Sequence, residues 1–196
     1  MAETEKTSEI VGVQQLLRTF LDTQHRRASA YSLWHKGFTE YMKASSDDAF
    51  NKLCGQVTVE FSECSKQVKD TIVRLKDASL AREDLASVLE AVQIQESRKL
   101  QMTSVLQVLR KAGKPSERAS MAEHKHESTK GCSHACSHGS DDEIGGLEMA
   151  QLDAEFEAAV KEATGAVQDA TLAINEHMEE IRYEIEDLGE TQSEDA

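Results

Sequence analysis

A single proline, Pro115, stands in a chain of 196 residues. Proline ends helices because it lacks an N–H donor and its ring strikes the preceding turn. A chain almost free of it, and rich in Ala, Glu, Gln, Lys, Leu and Ser, leans helical. The apolar residues agree with that reading. They recur at intervals of three and four, the spacing that gathers side chains on one face of a helix. The expected fold is all-α: an elongated antiparallel bundle of four long helices, with a flexible linker before the last.

The first helix is placed at about 8–44 by Ile10, Val13, Leu17, Phe20, Tyr31, Trp34, Phe38 and Tyr41. Gln24 and Arg27 sit in its seam, which predicts a kink there or a departure of the stripe from the core. Gly37 weakens this helix by ~1 kcal/mol relative to Ala. Ser45 and Asp48 have the spacing of a capping box before a second helix at about 47–77. That helix carries Phe50, Leu53, Val57, Phe61, Cys64, Val68, Ile72 and Leu75. Leu85, Val88, Leu89, Val92, Leu100, Leu106 and Leu109 mark a third helix at about 80–112, stopped by Gly113 and then Pro115. A fourth, at 147–188, runs along Met149, Leu152, Phe156, Val160, Ala163, Val167, Ala170, Ile174, Met178, Ile181, Ile185 and Leu188. The organisation predicted is a disordered N-terminus (1–7), a three-helix core (8–113), a disordered His/Cys linker (114–146), an acidic fourth helix (147–188) and a disordered tail (189–196). The long linker leaves the docking groove of the fourth helix open.

Charge is divided unevenly. Residues 141–196 hold 18 acidic and 2 basic residues, while residues 1–140 hold 18 and 20. The acidic quarter therefore repels phosphate backbones and anionic membranes. A solvated helix face with an acidic tail is the plain reading, and a surface for a basic partner the sharper one. No run reaches the ~18 apolar residues of a membrane span. The first residues, MAETEKTSEIVG, carry acids and no apolar stretch, which predicts an intracellular protein, nuclear or cytoplasmic, and not a secreted one.

The linker holds the one constellation with metal chemistry, HKHESTKGCSHACSHG. Cys132, His134, Cys136 and His138 carry ligand types suited to zinc and softer transition metals. The repeat CSHA–CSHG lacks the folded spacer of a zinc finger, so adventitious binding is expected rather than a dedicated cofactor. Cys64 and Cys54 read as buried thiols. Trp34 and Phe38 are core residues by spacing, and a partner surface if exposed. The chain has no phosphate-binding glycine loop, nucleophile elbow or HExxH motif.

Three segments carry a resemblance: LLRTFLDTQHRRASAYSLWHKGFTEYM (Leu16–Met42), VTVEFSECSKQV (Val57–Val68) and DLASVLEAVQIQESRKLQMTSVLQ (Asp84–Gln107). In order and spacing they resemble the B-type required-for-excision DNA-repair family, over roughly residues 10–112. The resemblance implies a role in excision repair of damaged DNA and supplies no catalytic residues. The expectation is a non-enzymatic accessory or adapter factor that contacts repair proteins through its helices, without tight direct binding to nucleic acid. Two other classes stand beside it: a metal-handling or thiol-responsive protein using the linker, and a structural component of a cytoskeletal or ciliary assembly.

Overall fold

The structure, a computed structural model, describes residues 2–44, 46–119 and 141–194. Among them are four long helices and no strand: α1 (Ala2–Ala44), α2 (Asp47–Leu75), α3 (Glu83–Ala112) and α4 (Asp141–Glu194). Residues 115–119 add a short helical stretch after the Gly113–Lys114 break. The all-α fold read from the periodicity is therefore present. By its contacts the chain divides into two units, Met1–Ser97 with Ala170–Ala196, and Arg98–Asp169.

In the first unit all four helices share one core. Leu17 and Phe20 of α1, Val68 and Leu75 of α2, Leu89 and Val92 of α3, and Ile181 of α4 are essentially inaccessible to solvent. Each such side chain contributes ~1.5–3 kcal/mol by leaving water. α1 and α2 are antiparallel: Thr23 meets Gln67, Arg26 meets Glu60, and the rings of Phe38 and Phe50 lie 5.8 Å apart. α3 returns against α2, with Gln93 donating to the Ser65 carbonyl at 3.3 Å and Lys76 Nζ 2.6 Å from Glu90. α4 closes the core with Ile174, Met178 and Ile181. Its C-terminal part lies beside the starts of α1 and α3, where Gln14 Nε2 donates to the Ile185 carbonyl (3.0 Å) and Arg82 Nη2 meets Glu184 (2.6 Å). These contacts fix the groove that sequence spacing left open.

α1 and α2 approach closely at Gly37. A Cβ there would run into Leu53 Cδ2 and stand 3.3 Å from Leu53 Cγ, so the leucine occupies the space a side chain would need. The turn from α2 to α3 is built on Asp77, whose carboxylate accepts the N–H (2.9 Å) and O–H (2.8 Å) of Ser79. Those bonds hold the Asp77 carboxyl below its ordinary pKa. Ala81 turns the chain at φ +48° before α3 begins.

Several expected boundaries differ. α1 begins at Ala2 instead of residue 8. The cap of α2 is Ser46, in an extended conformation and without a side-chain cap bond, while Asp47 and Asp48 place charge in the first turn. α4 begins at Asp141, runs through Gly145 and Gly146, and continues past Gly189 to Glu194. Glycine costs a helix only ~1 kcal/mol, too little by itself to end one. At Gly189 the neighbour is Gln14: a Cβ would lie 3.2 Å from Gln14 Nε2.

In the second unit Gly113 ends α3 at φ +71°, a conformation that disfavours a side chain, and its N–H donates to the Leu109 carbonyl at 3.0 Å. Lys114 Nζ then reaches Glu157 (2.7 Å) and Asp153 (3.6 Å), and Asp153 also accepts the Ser116 N–H at 3.0 Å. Leu106 and Ala163 are the buried apolar residues described there.

Candidate partner-binding surface

Cys132, His134, Cys136 and His138 lie outside the described residues. Among the described residues, no group of three or more His, Cys, Asp or Glu side chains is placed to hold a metal ion. No described helix is long and apolar enough to cross a membrane.

Trp34 and Phe38 are core residues, as their spacing predicts. They are 8% and 4% exposed, turned into an aromatic layer with α2. Trp34 meets Phe61 edge-on at 6.2 Å, and Tyr31 lies 4.6 Å from Phe61. Phe38 packs on Phe50, which stacks on Tyr41 at 4.7 Å. Helical spacing turns Tyr31, Trp34, Phe38 and Tyr41 of α1 toward Phe50 and Phe61 of α2. The Trp34 indole N–H has no hydrogen-bond partner among the described residues.

What lies open is a groove between α1 and α2. It encloses about 460 Å³ and is lined by His25, Arg26, Ala30, Leu33, Val57 and Glu60, with Ser29 and Gln56 at the rim. Ala30 and Val57 are buried and form an apolar floor. Leu33 is 51% exposed and forms an apolar lip. One wall is an ion pair: Arg26 Nη2 lies 2.7 Å from Glu60 and 3.4 Å from Glu63, and Nη1 donates to Gln67 at 2.8 Å. The bond to Glu60 raises the Arg26 pKa. This pair is half-exposed, so it contributes little to stability and chiefly fixes the wall.

Behind the groove the neighbouring arginine points inward. Arg27 is 2% exposed and donates to Gln93 Oε1 (2.8 Å) and Ser65 Oγ (3.3 Å). The Gln24 amide links it to α3: its NH2 donates to Glu96 Oε1 at 3.3 Å, and its carbonyl accepts from Arg27 at 3.2 Å. Tyr31 O–H donates to the Glu96 carbonyl at 3.4 Å. Burial pushes the Tyr31 phenol well above its ordinary pKa and raises that of the Cys64 thiol, so both stay protonated and uncharged. Gln24 and Arg27 thus remain in the core, and α1 continues through them without interruption. The reason lies in α2 and α3, which supply Ser65, Gln93 and Glu96 as partners. One of these was visible: Glu96 continues the seam Leu85, Leu89, Val92 at the next interval.

The sequence matches the DNA repair REX1-B family over residues 15–110. The chain belongs to that family. The REX1-B region takes in α1 from Gln15, all of α2 and α3 as far as Arg110. Both the α1–α2 groove and the buried polar layer fall inside it. No curated protein and no solved structure matches the chain.

Proposed function

We propose that this DNA-repair protein is a non-enzymatic accessory factor of excision repair. It acts in the nucleus through helix-mediated contacts with other repair proteins, and it requires no cofactor. Membership of the REX1-B family carries the repair role. The α1–α2 groove supports the adapter mechanism, because an apolar floor with an exposed leucine lip suits a partner's side chain. The acidic α4 disfavours tight contact with DNA at ~0.15 M salt, where charges are screened beyond ~8 Å.

Cells lacking the protein test this reading. Wild type should restore removal of ultraviolet lesions and should associate with excision-repair proteins after damage. Leu33→Asp, which puts a charge on the groove lip, should keep helicity and lose both. Incision of damaged DNA by the purified chain, or salt-resistant binding to duplex DNA, would overturn the adapter mechanism.

A further inference from the structure

From Leu172 to Glu190, α4 has two faces of opposite character. Ile174, Met178 and Ile181 turn inward to the core. Outward, at intervals of four and three, come Leu172, Glu176, Glu179, Tyr183, Glu186 and Glu190. Leu172 is 62% exposed and Tyr183 69% exposed, so two large side chains stand in solvent about three helical turns apart. The charge around them is only partly balanced. Glu179 pairs with Arg182, Glu180 with His177 (3.5 Å), and Glu184 with Arg82. Among the described residues, no cation lies within ion-pair distance of Glu176 or Glu186. Tyr183 rises from an open cleft of about 510 Å³ whose other lining residues are Glu176, Glu179, Glu180, Glu184 and Asp187.

We propose that this outward face of α4 docks a Lys/Arg-rich amphipathic helix of a protein partner, with Leu172 and Tyr183 as its two apolar anchors. The inference rests on the adapter reading and gives the partner its chemistry. Charge selects the class of partner: a face this acidic repels nucleic acid and anionic membranes and attracts basic protein segments. The anchors set the geometry, since a partner helix reaches both when its own apolar residues recur eleven positions apart, ~16 Å along the axis. Tyrosine suits the role, giving large contact area at small entropic cost with a hydroxyl for the wet rim.

Fluorescence anisotropy with full-length protein decides the matter. The probe is a labelled eighteen-residue helical peptide of Lys, Arg and Ala, with two Leu eleven positions apart. The wild type should bind it. Leu172→Ala/Tyr183→Ala should weaken binding at least about tenfold. Glu176→Gln/Glu186→Gln should weaken it and flatten its dependence on salt. All four side chains are exposed, so circular dichroism should match that of the wild type. Equal binding by a peptide with Ser in place of both Leu, or by Leu172→Ala/Tyr183→Ala, would show plain charge attraction and overturn the proposal. So would a wild-type dimer in sedimentation that the anchor variant loses, because a second copy would then be the occupant. The adapter reading is judged separately. Restoration of lesion removal by Leu172→Ala/Tyr183→Ala, in cells where Leu33→Asp fails, leaves the adapter standing and rejects this face.

Discussion

Gly37→Ala should destabilise this protein although alanine is the better helix former. Helix propensity alone favours the change by ~1 kcal/mol. Against it stands Leu53, whose Cδ2 fills the place of the new methyl and whose Cγ lies 3.3 Å from it. Leu53 is half-buried, so it must leave its rotamer or push α2 away from α1. Overpacking of this kind costs ~1–3 kcal/mol, which leaves a net loss of ~0–2 kcal/mol. Leu53→Ala alone should cost ~1–3 kcal/mol, near the low end for large-to-small changes because the leucine is partly exposed. In the double variant the methyl introduced at position 37 enters the vacated space and the propensity gain is realised. Gly37→Ala/Leu53→Ala should therefore be more stable than Leu53→Ala, with a favourable coupling of ~1–3 kcal/mol. Urea unfolding followed by circular dichroism gives all four corners of the cycle. If Gly37→Ala adds the same ~1 kcal/mol in both backgrounds, the close approach of α1 and α2 at this point is refuted.

Arg27→Met should lower unfolding stability by ~3–5 kcal/mol, since it strips a buried layer of its charged donor; an unchanged urea midpoint would contradict the network. Leu106→Ala, at a buried position of α3, should cost ~2–5 kcal/mol by the same measurement. Arg82 holds the Asp84 carboxyl below its ordinary value of 3.8. A depressed carboxyl stabilises the fold above that ordinary value and stops doing so as pH falls through the lowered one. Asp84→Asn should therefore be less stable than wild type near neutrality, with the difference closing in acid; a difference that grows in acid would reverse the assignment. Joint replacement of Cys132, His134, Cys136 and His138 by Ser should abolish zinc uptake and leave helicity and lesion removal unchanged. A repair defect in that variant would move function into the linker.

Helices with one apolar face were legible from the sequence, and α2 is the clearest case. Its predicted stripe from Val57 to Leu75 is the buried face observed. Helix ends were less legible, because glycine is only a weak breaker. Gly113 does stop α3, beside Pro115, whereas Gly145, Gly146 and Gly189 lie within α4. The polar layer escaped because its sense depends on three helices at once: Arg27 reads as a defect until Ser65 and Gln93 stand opposite it. Trp34 and Phe38 show the converse, since spacing gave their face and only packing shows that α2 covers it. The groove depends on how α1 and α2 meet, which periodicity does not encode.

The order in which the first core is assembled matters for synthesis. Its founding residues have all been translated by Ser97, yet Ile174, Met178 and Ile181 belong to the same cluster. A ribosome adding ~5–20 residues per second needs roughly 4–16 s to bridge that gap of roughly 80 residues. Throughout that interval the cluster lacks Ile174, Met178 and Ile181, and the apolar surface they cover stays open to solvent or to chaperones. A holdase that shields apolar surface should thus engage this protein cotranslationally and release it as α4 emerges. Slow codons between the two halves would lengthen the exposure and favour aggregation, whatever the stability of the finished fold.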